Sequence, residues 1–351
     1  MIGKSRELYI DVVKVVLMFF VINGHLPASN IISPEAELPS WLRSIIVGVS
    51  MPCFFAISGM FAVKTLESQD WPMIVSRLAT LLWPMFSFGV VFGLWSALRM
   101  KQLLMVLMSP FSLWSSLWFL RTLMMIYLVS AVVFGLVRTR LARFLMFAFV
   151  YAVLVFLPQN VPCYGWLKDV MHMLPYYVFG IFSLRQMLEQ DAWKIVFVCG
   201  IFFLIVAFSE GSVRDNGMGF YWVDSYWREM LLTRRGLVCF VGRTLMGIAG
   251  TVALLWFFRW FLNKMPMLNA LAPIGVTTLG VYTMHQWMLA RIGAMGEMFP
   301  LSNSWRWIIT LVVFLFCHFV VVVVKRFSLT RFVFFGDERL LADGLRRLGR
   351  E

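Results

Sequence analysis

Long apolar runs, separated by short clusters of charged, Pro and Gly residues, recur along the whole chain. Each is roughly 17 to 25 residues, enough for one helix to cross about 30 Å of hydrocarbon. Ten such runs lie at approximately 9 to 26, 44 to 63, 73 to 98, 112 to 137, 141 to 158, 168 to 184, 193 to 208, 237 to 260, 272 to 291 and 305 to 325. The sixth and seventh are short, and Pro175 interrupts the sixth. Lys4 and Arg6 precede the first run as they would a signal peptide, but no small-residue cleavage site follows, so it counts as a span. The pattern predicts an all-α polytopic integral membrane bundle of about ten transmembrane helices.

Composition agrees. Apolar residues make up 61% of the 351, charged residues only 14%, and the mean hydropathy is +0.81. A soluble domain needs about 25% charge to cover its surface, so a soluble enzyme and a disordered chain are both excluded. A net charge of +13 would suggest nucleic acid on a soluble chain. Here it reports inner loops facing anionic lipid, and no nucleic-acid partner is expected. With the N-terminus inside, 18 of the 31 Lys and Arg fall on the inner side, which predicts both termini cytoplasmic. Residues 1–336 are expected to form the membrane domain and residues 337–351 a basic cytoplasmic tail, with Arg339, Arg346, Arg347 and Arg350 drawn to the inner leaflet. Cys53, Cys199, Cys239 and Cys317 lie inside apolar runs without metal-ligand spacing, so neither a metal nor disulfides are expected to hold the fold.

Ionisable side chains within a span cost at least about 2.5 kcal/mol, so those that persist are candidates for function. Asp11 and Lys14 stand three apart in the first span, and His25 follows Lys14 by eleven, about three turns and within roughly 20° of the same face. Two readings fit: a polar stripe running from the inner to the outer interface, or Lys14 snorkelling beside Asp11 while His25 ends the helix. In the second span Ser58 and Gly59 lie at mid-membrane, where small residues serve either packing or a ligand. Arg77 begins the third span as an interfacial anchor would. Arg121 sits deeper, after Trp118-Phe119-Leu120, where snorkelling and an inward partner fit equally. His285 lies in the ninth span one turn after Tyr282, while His172 and His318 lack such neighbours and read as packing residues. Between the seventh and eighth spans, Glu210, Asp215, Tyr221, Trp222, Asp224, Tyr226, Trp227, Arg228 and Glu229 suit a sugar, whose C–H groups stack on rings and whose hydroxyls donate to carboxylates. An interfacial aromatic belt gives the same pattern.

Together these residues resemble acyltransferase family 3, integral-membrane O-acyltransferases of surface and periplasmic glycans. The resemblance rests on Lys14 with His25, the Phe54-Phe55-x-x-Ser58-Gly59 run, Arg77, Trp118-Phe119-Leu120, the region of Gly180, Tyr282 with His285, and a Phe-Phe-Gly ending at Gly336. It implies that His25 is the catalytic histidine, with Lys14 and its neighbour Asp11 in the same centre. It also implies a cytoplasmic acyl-CoA donor, acetyl-CoA in most members, handled by Lys14, Arg77, Ser58 and Gly59. The acceptor would be a hydroxyl of a glycan or lipid-linked sugar reached from outside, met by Arg121, Trp118, Tyr282, His285 and Glu210. No permanently bound cofactor is implied, and the location implied is the cell inner membrane. One departure stands out: many members carry a second arginine three residues after the first in the third span, where this chain has Thr80. A competing class is a transporter or flippase for a lipid-linked sugar or small polar solute, with Asp11, Lys14, Arg121 and His285 lining a polar path.

Overall fold

The computed structural model describes residues 7–26, 38–100, 117–157, 164–189, 193–215, 234–296, 305–336 and 338–348. Among them the secondary structure is helical, without a strand. The helices are α1 (Leu8–His25), α2 (Ser40–Ser68), α3 (Trp71–Met100), α4 (Trp118–Leu136), α5 (Arg140–Phe156), α6 (Tyr164–Phe179), α7 (Arg185–Glu189), α8 (Trp193–Asp215), α9 (Arg234–Lys264), α10 (Ala272–Gly275), α11 (Thr278–Gly296), α12 (Arg306–Arg326), α13 (Ser328–Phe335) and α14 (Glu338–Leu348). A π turn, Gly180–Leu184, follows α6, and a 3-10 turn, Pro266–Leu271, precedes α10. Among the described residues six helices are long and apolar enough to cross a membrane: α1, α2, α3, α4, α9 and α12. The bent pair around α10 and α11 makes a seventh. The predicted runs at 141 to 158, 168 to 184 and 193 to 208 are helical too, as α5, α6 with its π turn, and the first part of α8, but are too short or interrupted to join that set.

The chain divides into two compact units. The first comprises residues up to Ile57 and Phe182–Phe319; the second comprises Ser58–Ile181 and residues from Val320 onward. In the first unit α1 is wrapped by α9, α10, α11 and the 3-10 turn. Ten of its residues are buried, including Ile10, Val13, Leu17 and Ile22, because a helix that is apolar on every face can be enclosed by neighbours on every side. Val12, Leu262 and Ala272 form a core with Tyr9, Phe258, Leu268 and Leu271 packed around it.

The ninth predicted run is not one straight helix, because a 67° bend separates Pro266–Gly275 from the helix that starts at Thr278. Gly275 lies so close to α1 that a Cβ would collide with the Asp11 backbone. At the break the Ile274 carbonyl accepts the Thr277 N–H at 2.9 Å and the Thr277 hydroxyl at 2.7 Å, and the Gly275 carbonyl accepts the Thr278 hydroxyl at 2.9 Å. With its proton committed to Ile274, Thr277 Oγ1 accepts from His318 Nδ1, 2.8 Å away on α12. His318, which the sequence suggests is a packing residue, therefore pins the break.

In the second unit α3 packs against α4, α13 and α14, and α6 against α4 and α5. Trp83 Nε1 donates to Val333 O at 2.9 Å, so α3 supplies one of the last carbonyls of α13 with a donor. Phe334 and Phe335 both pack on Phe88, and Gly336 ends α13 at φ +64°. The Phe-Phe-Gly signature thus docks two rings and then turns through a conformation that favours glycine. Gly336→Ala is expected to cost about 1 kcal/mol, visible as a lower melting temperature in detergent with α13 still helical. The tail helix α14 docks through buried Ala342 and an Arg346–Asp70 ion pair of 2.6 Å.

Candidate functional site

The first unit gathers Asp11, Lys14, His25, Tyr282 and His285. α1 is continuous from Leu8 to His25, so Lys14 and His25 share one face about 16 Å apart along the axis. Lys14 Nζ donates to Asp11 Oδ1 at 3.3 Å, with Asp11 buried and the Lys14 side chain 25% exposed. Asp11 is therefore the counter-ion of Lys14, beside the helix break that Gly275 presses against it.

At the other end of α1, the half-buried His25 ring meets His285 of α11, with centroids 5.3 Å apart and planes tilted by 45°. Tyr282 lies 5.4 Å from His285 on the other side. His285 is fully buried and its Nδ1 lies 2.7 Å from the Tyr282 carbonyl oxygen. A carbonyl only accepts, so Nδ1 carries the proton and, in the neutral ring, Nε2 carries the lone pair.

Sequence reading missed two buried residues beside this pair. Arg306, at the start of α12, is 1% exposed, and its Nη1 donates to Asn23 Oδ1 at 3.4 Å. Asn23 Nδ2 donates to Thr310 Oγ1 at 3.1 Å, and Thr310 Oγ1 donates to Arg306 O at 2.8 Å. The cycle admits one amide orientation, since guanidinium only donates. One turn earlier on α1, Phe19 stacks on Trp307, with centroids 6.1 Å apart and planes 7° off parallel. α12 is thereby fastened to the last turn of α1, where helix ends otherwise fray, two residues before His25. A run of positive charge at the start of a span signals an anchor, and nothing in spacing distinguishes Arg306 from one; its partner lies 283 positions away.

The remaining predicted site residues, Glu210 apart, belong to the second unit. Gly59 abuts the Tyr177 carbonyl so closely that a Cβ would collide with it, which makes Gly59 a helix-approach residue; Ser58 beside it is half-buried. Tyr177 of α6, which no sequence pattern singled out, is fully buried against Gly59, and Arg77 is half-buried on α3. Trp118 opens α4, half-buried and edge-on to Phe119. Arg121, 4% exposed, donates to Asp169 Oδ2 at 2.5 Å and lies over the Trp166 ring at 5.4 Å. That arrangement ties α4 to α6 and accounts for the charge within the span. Arg121→Met should lower thermal stability by about 3 kcal/mol, leaving Asp169 without its guanidinium, while the KM for acyl donor in surviving protein stays unchanged. A raised KM at wild-type stability would show instead that the guanidinium serves substrate. Glu210 falls within α8, but its side chain lies outside the described residues, as do the loop residues Tyr221, Trp222, Asp224, Tyr226, Trp227, Arg228 and Glu229.

A buried polar centre on tightly packed helices, with a lone-pair nitrogen beside a second imidazole, is suited to moving a proton during group transfer. Comparison with curated proteins and with solved structures returns no match. A family model of an acyltransferase domain matches residues 7–324 and so contains α1 and α11 together with both histidines. The chain belongs to acyltransferase family 3 and is a membrane acyltransferase.

Proposed function

We propose that this protein transfers an acetyl group from cytoplasmic acetyl-CoA to a hydroxyl of an extracytoplasmic or lipid-linked glycan in the cell inner membrane, with His25 as the general base. The observation that carries this reading is the His25–His285 contact at the end of α1, within a chain matched over its helical body to an acyltransferase domain. Ester formation removes the acceptor hydroxyl proton as its oxygen attacks the thioester carbon. The C–S bond then breaks, and the proton leaves with the thiolate as free CoA. A neutral imidazole, with an ordinary pKa of about 6.5, suits the first step. Lys14, on the same face of α1 as His25 and about 16 Å away toward the inner end, attracts the donor phosphates, and Arg77 does the same in its own unit. Ten spans with both termini cytoplasmic complete the reading, α5, α6 and α8 serving as the shorter crossings. Tyr282 and the aromatic and acidic residues after α8 would contact the sugar.

Mass spectrometry of surface polysaccharide, lipid-linked sugar and periplasmic glucan from cells with and without this gene tests the proposal. A loss of one acyl unit from one of these pools is expected and names donor and acceptor together. Identical masses in all three pools would refute it.

A further inference from the structure

The His285 ring is built into the fold more firmly than packing alone requires. It is fully buried on α11, its Nδ1–H is held by the Tyr282 carbonyl at 2.7 Å, and its Nε2 makes no hydrogen bond among the described residues. Leaving a buried acceptor unsatisfied is costly, and such an atom in a native fold calls for an explanation. The neighbouring polar ring is His25, with centroids 5.3 Å apart. His25 is half-buried at the last residue of α1, and the His285 ring is held by the Tyr282 carbonyl.

We infer that His285 is a positioning residue for His25: its Nε2 lone pair accepts the N–H of one His25 ring nitrogen and so leaves the other nitrogen unprotonated toward the acceptor hydroxyl. This rests on the reading of His25 as the base. His285 fills the place that a carboxylate fills in a Ser-His-Asp triad, holding the tautomer and stabilising the imidazolium that forms, but without a formal charge in the membrane interior. In the transfer step the acceptor O–H bond breaks and its proton goes to the outward nitrogen of His25. The acceptor oxygen bonds to the thioester carbon, and the proton passes to the departing CoA thiolate. The bond from His25 to His285 Nε2 shortens as charge appears on His25 and relaxes when it leaves. Hydrogen bonds of this kind are commonly long without substrate and tighten in the reacting complex.

Two amide substitutions separate the two nitrogens. In His285→Asn the amide nitrogen takes the place of Nδ1 and keeps the bond to Tyr282 O, but nothing accepts where Nε2 stood. In His285→Gln the amide oxygen reaches the Nε2 position and restores an acceptor that cannot be protonated. The assay uses the full-length protein in proteoliposomes with acetyl-CoA and crude cell-envelope glycan, reading released thiol, with His25→Ala as reference and detergent melting as the measure of folding. The expected result is that Asn lowers kcat about 100-fold at unchanged KM for acetyl-CoA, while Gln stays within about tenfold of wild type. Asn at wild-type rate, or Gln and Asn falling equally while both melt like wild type, overturns the inference. Should either variant melt early, His285→Gln is read as a ratio to His285→Leu, and equal rates for those two again overturn it. Wild-type thiol release from His25→Ala would instead overturn the reading of His25 as the base, a distinct outcome.

Discussion

Replacing His25 with Ala is expected to lower acyl transfer by about three orders of magnitude, the upper range for loss of a positioned general base. The helix that carries it should survive, because α1 is held by the enclosed residues Ile10, Val13, Leu17 and Ile22 and by its packing against α9 and α10, while the ring contact of His25 with His285 of α11 is lost. Leu26, fully buried, still anchors the end of the helix, its N–H donating to Asn23 O at 3.3 Å. The check is thiol release from acetyl-CoA by purified protein, alongside a melting curve. Activity should vanish while the melting temperature stays within a few degrees of wild type. A parallel fall in both would mean that the ring holds the helices together.

The second large effect is expected at Arg306. Its guanidinium is almost wholly buried and donates to Asn23, whose remaining bonds run to Thr310 and back to the Arg306 backbone. Arg306→Met preserves length and apolar bulk but leaves Asn23 Oδ1 buried without that donor, a loss of about 2 to 3 kcal/mol for a hydrogen bond to a charged group. Asn23→Leu should cost a similar amount. The double variant should cost less than the sum of the two, with a coupling of at least about 1 kcal/mol, because it removes both ends of one network. Since Asn23 stands two residues before His25, Arg306→Met should also lower kcat in protein that remains folded. Additive single-variant losses would show that the two side chains act independently.

Much of this was legible in the chain. Apolar runs located several helices within a few residues, as α1 at Leu8–His25 against 9 to 26 and α12 at Arg306–Arg326 against 305 to 325 illustrate, and six of the described helices reach membrane length where ten spans are expected from the sequence. The cost of ionisable groups in hydrocarbon drew attention to His25, Lys14 and His285, and the structure brings the two histidines into contact. What stayed hidden is tertiary. A helix apolar all round does not announce which face meets which neighbour, so the Asn23–Arg306 bond could not be foreseen. The break before Thr278 was invisible because the Thr277 N–H and the hydroxyls of Thr277 and Thr278 serve the carbonyls around it, at no cost in apolar pattern. A lone charge in a span invites the reading of Arg121 as a substrate contact; that it also pairs with Asp169, 48 residues away on α6, no spacing announces. The closeness of Gly59 to Tyr177 likewise depends on a neighbour that only the fold supplies.

The central claim is that the imidazole of His25 carries out acyl transfer. Its most direct test is complementation: cells lacking the gene are supplied with wild-type protein or with His25→Gln at matched membrane levels, and the acyl content of their surface glycan is compared by mass spectrometry. The account predicts that wild type restores the acylated species and His25→Gln restores none; acylation restored equally by both would contradict it.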